Sequence, residues 1–152
     1  MKYLLIIFVS FLAISGIRAQ DLTEGAINEL MTQGGYTPQT MQYGKLKESE
    51  SMFRDFQFKK DKSYFVIAYG ESGVLDVDID LLDNENRLKA KDNDSEPLSL
   101  VKYEPKENQY LKIIVKNFNS QSRNHPYVIK YIIYVKDLGE ENTENVEKLR
   151  GE

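Results

Sequence analysis

Nine carboxylates face three bases between Glu71 and Glu96, and the spacing of several of them suits a hard cation. Asp76, Asp78, Asp83, Asp92 and Asp94 fall at predicted strand ends and in the adjoining loops, with Glu71 a further candidate. Calcium takes about six to eight oxygens from carboxylates, amide carbonyls and backbone, and this stretch is rich in all three. Alternate same-face positions on a strand lie roughly 6.7 Å apart, twice the rise per residue. Two such carboxylates share an ion only when a loop closes over them. The loop Asp92-Asn-Asp-Ser-Glu96 has the Asp-x-Asp character for this, without the glycine and terminal glutamate of an EF-hand. The competing reading is a solvated acidic face that keeps the protein soluble and its strands from pairing with other chains.

Other chemistries find less support. His125 is the single histidine, in Ser122-Arg-Asn-His-Pro126, which reads as a hairpin loop. A histidine base needs a nucleophile and an orienting acid beside it; Ser72, Ser120 and Ser122 are the nominees, and none sits in a Gly-x-Ser-x-Gly elbow. Zinc would need more histidines or cysteines than one and none. The acids crowd one strand instead of facing each other across a cleft, as paired glycosidase carboxylates must. No phosphate-cradling glycine loop is present. Ten tyrosines and seven phenylalanines without tryptophan leave sugar stacking or a protein-binding patch open. Tyr69, Tyr103, Tyr110 and Tyr134 are the candidates for outward positions, although aromatics favour strands in any case.

The acids are positioned by a strand. In Leu75-Asp-Val-Asp-Ile-Asp-Leu81 apolar and acidic residues alternate strictly, which predicts Leu75, Val77, Ile79 and Leu81 on a core face. Asp76, Asp78 and Asp80 then form a ladder on the open face. Similar strands are predicted at Arg54–Phe58, Ser63–Tyr69, Leu88–Ala90, Leu98–Tyr103, Tyr110–Phe118 and Tyr127–Val135. They are separated by Gly70-Glu-Ser-Gly73, the Asp83-Asn-Glu-Asn86 turn and the 92–97 loop. Seven or eight short strands with this punctuation predict an antiparallel β-sandwich. Before them, Asp21 and Glu24 resemble a capping box. Leu22, Ala26, Ile27, Leu30 and Met31 then line one side of a short N-terminal helix that stops at Gly34-Gly35 and packs on its own domain. Thr37 to about Ser51 reads as a polar connector.

Residues 1–19 have the layout of a secretory signal peptide: Lys2, an apolar run from Tyr3 to Ile14, and small residues up to Ala19. The run is short for a membrane span. Its removal takes Lys2 and Arg18 and no acid, leaving 133 of 152 residues and moving the net charge from −4 to −6. The negative charge concentrates in the 71–96 run, which repels nucleic acid. An exported chain with no cysteine has no disulfide and no thiol chemistry. The expected organisation is signal peptide 1–19, helix and linker 20–50, sandwich 51–137 and polar tail 138–152.

The passage Asp76-Val-Asp-Ile-Asp-Leu-Leu-Asp-Asn-Glu-Asn-Arg-Leu-Lys-Ala-Lys-Asp-Asn-Asp94 resembles the signature of the bacterial pre-peptidase C-terminal (PPC) domain. That pattern is an Asp-apolar-Asp-Leu strand, an Asp-x-x-Gly turn, a short apolar strand and an acidic loop. Tyr64-Phe-Val-Ile-Ala68 resembles the family's preceding strand; Tyr110–Phe118 and Tyr127–Tyr131 resemble its final pair. Asn86 stands where the turn glycine is usual, and a helix and a linker stand where a protease would be expected. The resemblance spans about Phe53 to Lys136 and implies a jelly-roll-like sandwich, exported and non-catalytic. Calcium binding by related collagenase modules favours Ca2+ as the cofactor. The expected function is a non-catalytic binding or accessory module in the periplasm or outside the cell. Its partner would be an extracytoplasmic protein or polysaccharide, with no membrane span once the signal is removed. A carbohydrate-binding module of the cell envelope is the alternative, and a small secreted hydrolase the third reading.

Overall fold

The computed structural model describes residues 24–92 and 94–139. The expected export signal, Asp21, Leu22 and the tail beyond Gly139 lie outside them. Among the described residues one helix, α1 (Glu24–Gln33), precedes eight strands: β1 (Thr37–Leu46), β2 (Ser51–Phe58), β3 (Lys62–Gly70), β4 (Val74–Leu82), β5 (Leu88–Asp92), β6 (Leu98–Tyr103), β7 (Gln109–Ser120) and β8 (Tyr127–Asp137). Every pairing is antiparallel. One sheet runs β1-β8-β3-β6 and the other β2-β7-β4-β5. Each strand of the first half pairs with its mirror in the second half, as if one long hairpin were rolled into two layers. That is a jelly roll.

Alternation places the core. Tyr127, Ile129, Tyr131 and Ile133 of β8 point between the sheets, where they meet Val77, Ile79 and Leu81 of β4 and Leu111, Ile113 and Val115 of β7. Phe58 sits edge-on to Phe56, Tyr64 and Tyr103 at one end of this core. The other faces of β3 and β8 are apolar too, which explains why Tyr64–Tyr69 reads as an unbroken β-favouring run. They are covered by α1: Ile27 and Met31 pack with Tyr36, Ile67, Ile132 and Tyr134 in a second, smaller core. The helix stops where the chain needs positive φ at Gly35 (φ +80°). Tyr36 anchors the exit through its hydroxyl, 2.8 Å from Ser63 Oγ, which in turn donates to Glu104.

The connector expected over 37–51 is instead largely β1, an edge strand of the sandwich. Of its ten residues only Leu46 is buried, so it lacks the apolar alternation that marks the others. The sandwich therefore begins at Thr37 and not at 51.

Candidate functional site

The acidic strand departs from strict alternation at its start. Opposite β7, Val74 pairs with Ser120, Asp76 with Asn119 and Val77 with Asn117. Leu75 is thus an extra residue on β4, and Phe118 is the compensating extra residue on β7. Paired bulges of this kind re-aim side chains without changing the register beyond them. Leu75, expected inside, is 38% exposed, and Asp76, expected on the open face, is 6% exposed. Val77, Ile79 and Leu81 keep their core positions. The segment leading into β6 helps to cover the corner, with the Val77 amide donating to the Glu96 carbonyl at 3.0 Å. Asp76 Oδ1 is left buried with no hydrogen-bond partner.

Around Asp76 the chain brings several of the predicted acids together. Burial first, then the charges of Asp78, Asp92 and Glu96, push the Asp76 carboxyl above its ordinary range. Asp78 is also raised, by burial and then by Asp80, with Lys116 acting against it. Asp92 shapes the loop: its carboxylate accepts from the Asp94 amide at 3.2 Å and the Leu100 amide at 2.6 Å, tying β5 to β6. Asp94 is exposed. As the side chains stand, no group of three or more acidic or imidazole side chains among the described residues is arranged to hold a metal ion. The Asp76 oxygen stands there as a buried acceptor with no donor.

Two predicted ligands are occupied elsewhere. Asp83 lies at the far end of β4 and builds the turn into β5. Its carboxylate accepts from the amides of Glu85 and Arg87 at 2.9 Å each, from Arg87 Nε at 2.7 Å and from Lys89 Nζ at 3.1 Å. Burial works against ionisation there, but these donors together hold the carboxyl far below the usual carboxylate range. Asn86 completes the turn at φ +57°. Glu71 is fixed to the start of β8, accepting from the Val128 amide at 2.7 Å.

His125 lies in the β7–β8 loop, its ring 4.7 Å from that of Tyr127 in an edge-on contact. Among the described residues its ring makes no hydrogen bond to a serine or a carboxylate, and Ser120 is buried near Asn117. Of the four tyrosines considered for outward positions, Tyr110 is exposed and Tyr134 is wholly buried. Tyr69 packs against the α1 core and Tyr103 against Phe58.

Tyr110 is joined at the surface by two aromatic residues that were not among the sequence candidates, Phe53 and Phe118. While α1 covers one sheet, the outer face of the other carries Phe53 on β2 and Tyr110 and Phe118 on β7, all at least half exposed. Lys112 Nζ stands 5.9 Å from the Phe53 ring centre and Lys116 Nζ 4.8 Å from that of Phe118. The available signal was the residues out of phase with Leu111, Ile113 and Val115. No family model and no curated protein matches this chain. Among the described residues no helix is long and apolar enough to cross a membrane.

Proposed function

We propose that this chain is an exported, non-catalytic binding or accessory module, of the kind the PPC resemblance implies, and that a calcium ion completes its acidic corner. The observation that carries the reading is Asp76: a buried carboxylate with one oxygen bonded to nothing, beside Asp78, Asp92 and Glu96. Burying a carboxylate without a partner is costly, and a proton or a cation must offset it. A divalent ion neutralises two or more of these groups at once. Calcium tolerates irregular oxygen shells supplied by loops, so closure of the exposed 94–96 turn onto Asp76 is the movement the reading requires.

Thermal unfolding with calcium and with chelator tests it. At about a hundred times the dissociation constant a bound ion adds about 2.7 kcal/mol, or on the order of 10 °C for a domain of this size. Asp76→Asn should abolish the gain and Asp83→Asn should leave it. A melting curve indifferent to chelator, or an Asp76→Asn protein that responds like the parent, removes the ion from the account.

A second reading has its own support in the open face bearing Phe53, Tyr110 and Phe118. Rings interleaved with lysines can stack on and hydrogen-bond a polysaccharide. Retention on insoluble polysaccharide that is lost in Phe53→Ala and Tyr110→Ala would favour this carbohydrate-binding alternative.

A further inference from the structure

We propose that β1 is a self-association edge, pairing antiparallel with β1 of a second copy about a two-fold axis at Tyr43. The proposal concerns a different part of the fold from the acidic corner and does not depend on it.

A jelly roll leaves four strand edges, and three of them are protected. β5 is five residues long and carries Lys89, Lys91 and Asp92. β6 is short, and its Leu100 amide is already taken by Asp92. β2 carries Arg54 and Asp55 in mid-strand. Short length and charge are the usual defences of an edge. β1 is the least defended: it spans ten residues with Lys45 as its single charge, and its proline, Pro38, lies near one end. Its bulge falls at Gln39, between the Pro38 and Thr40 pairings with β8. From Thr40 to Leu46 the ladder is regular; Arg54 reaches the Thr40 hydroxyl and Asn117 the Leu46 carbonyl at its two ends, and between them no described residue outside β8 hydrogen-bonds to the backbone of Met41, Tyr43 or Lys45.

That seven-residue stretch is centred on Tyr43, which at 74% is the most exposed large hydrophobic residue among those described. Pairing centred there uses all seven positions and leaves Pro38 and Gln39 outside. Tyr43 then faces Tyr43 of the second copy, and Met41 faces Lys45 of the second copy. The lone charge never meets its own kind and can lay its alkyl stem along methionine. Beside the edge, a depression of about 400 Å³ is lined by Met41, Tyr43, Gly44, Lys45, Val128 and Lys130, giving room for added side chains. The pairing would join two four-stranded sheets into one continuous sheet of eight.

The chain has no cysteine, so introduced thiols give a clean readout. In Tyr43→Cys the two thiols should meet across the axis and form a disulfide-linked dimer under mild oxidation. Met41→Cys and Lys45→Cys should each fail, because like positions lie roughly 13 Å apart, four residue steps along the strand. The double variant carrying both should cross-link. In sedimentation velocity the parent should dimerise with rising concentration. Met41→Lys, which sets like charges opposite in two symmetry-related places, should weaken this roughly tenfold or more, whereas Met41→Glu should preserve it. Melting temperatures near the parent's confirm that these exposed substitutions leave the fold intact. A parent that stays monomeric up to millimolar concentration overturns the proposal. So does equal cross-linking by all three single variants, or a dimer that cross-links through Phe53→Cys instead.

Discussion

Gly73 offers the sharpest test of how this sandwich is held closed at the β3–β4 turn. It adopts φ +106°, and a Cβ added there would overlap Cε1 of the Tyr127 ring and stand 3.0 Å from its Cζ. Tyr127 is itself buried, at the start of β8, and the Gln121 amide donates to the Gly73 carbonyl. Two costs follow for Gly73→Ala. A side chain at positive φ costs about 1–2 kcal/mol, and forcing a buried ring aside costs roughly 1–3 kcal/mol more. The sum, about 2–5 kcal/mol, is a large part of the roughly 5–15 kcal/mol that keeps an ordinary domain folded.

Gly35→Ala separates the two. Gly35 also has positive φ, at +80°, but the added carbon would meet only the tip of the Lys136 side chain at 3.4 Å. It should show the backbone cost alone. Urea unfolding followed by circular dichroism and tyrosine fluorescence gives both values, and the difference is the contribution of the Tyr127 ring. Combining Gly73→Ala with Tyr127→Ala should recover that difference as a coupling energy of about 1–3 kcal/mol. If Gly73→Ala costs no more than Gly35→Ala, or the double variant shows no coupling, the packing argument at this turn is wrong.

Phe58→Ala removes a fully buried ring at the aromatic end of the core and should cost about 3–5 kcal/mol. Phe53→Ala, on the neighbouring solvent face of the same strand, should stay within about 0.5 kcal/mol; equal losses in urea unfolding would contradict the assignment of faces. Asp83→Ala strips the β4–β5 turn of its acceptor, so amide exchange at Leu82 and Leu88 should quicken while Ile79 and Leu111 stay protected. Uniform protection would mean that the turn does not depend on this carboxylate. Glu24 predicts a pH effect: its carboxyl is lowered by hydrogen bonds from Lys130 and then Tyr69. A carboxylate with a depressed folded pKa adds stability above its ordinary value of 4.5 and loses it as pH falls through the folded value. Both partners of the Glu24–Lys130 pair are more than a third exposed, so the term is under about 1 kcal/mol. Glu24→Gln should flatten the stability profile between about pH 5 and 3; an unchanged slope refutes the link.

Most strands could be read from the chain because a half-buried strand must alternate. β7 and β8 declare themselves through Leu111, Ile113 and Val115 and through Tyr127, Ile129, Tyr131 and Ile133, whose burial sets the period. β1 escaped because an edge strand with one buried residue owes its conformation to β8 and not to its own apolar pattern. The acidic strand was legible from Val77 onward and misleading before it. Whether Asp76 points out or in depends on an extra residue on each of two strands distant in sequence, and alternation within one strand carries no trace of that. Asp83 was more accessible to reasoning than its nomination as a metal ligand implied. An aspartate opening a turn, with bases four and six residues on, is the pattern of a side chain that caps its own backbone and pairs locally.

The fold also keeps the two proposals apart. The acidic corner lies where β4, β5 and the segment leading into β6 meet, whereas β1 is at the opposite end of its sheet, beyond β8 and β3. Strand pairing at β1 adds contacts along the outer side of one sheet and leaves the 94–96 turn free to move. A cation at Asp76 would tighten that turn, and the described hydrogen-bonded link from there to β1 is a single side-chain contact, Asn117 Nδ2 to the Leu46 carbonyl at 3.1 Å, made at the buried end of the strand. The two effects should therefore add without coupling: calcium should raise the melting temperature of Met41→Lys as much as that of the parent, and chelator should leave the dimer constant where it was. If chelation changes dimerisation severalfold, the corner and the edge communicate through Asn117 and the core shared by Val77 and Leu46, and the sandwich is less rigid than its hydrogen-bonded ladders require.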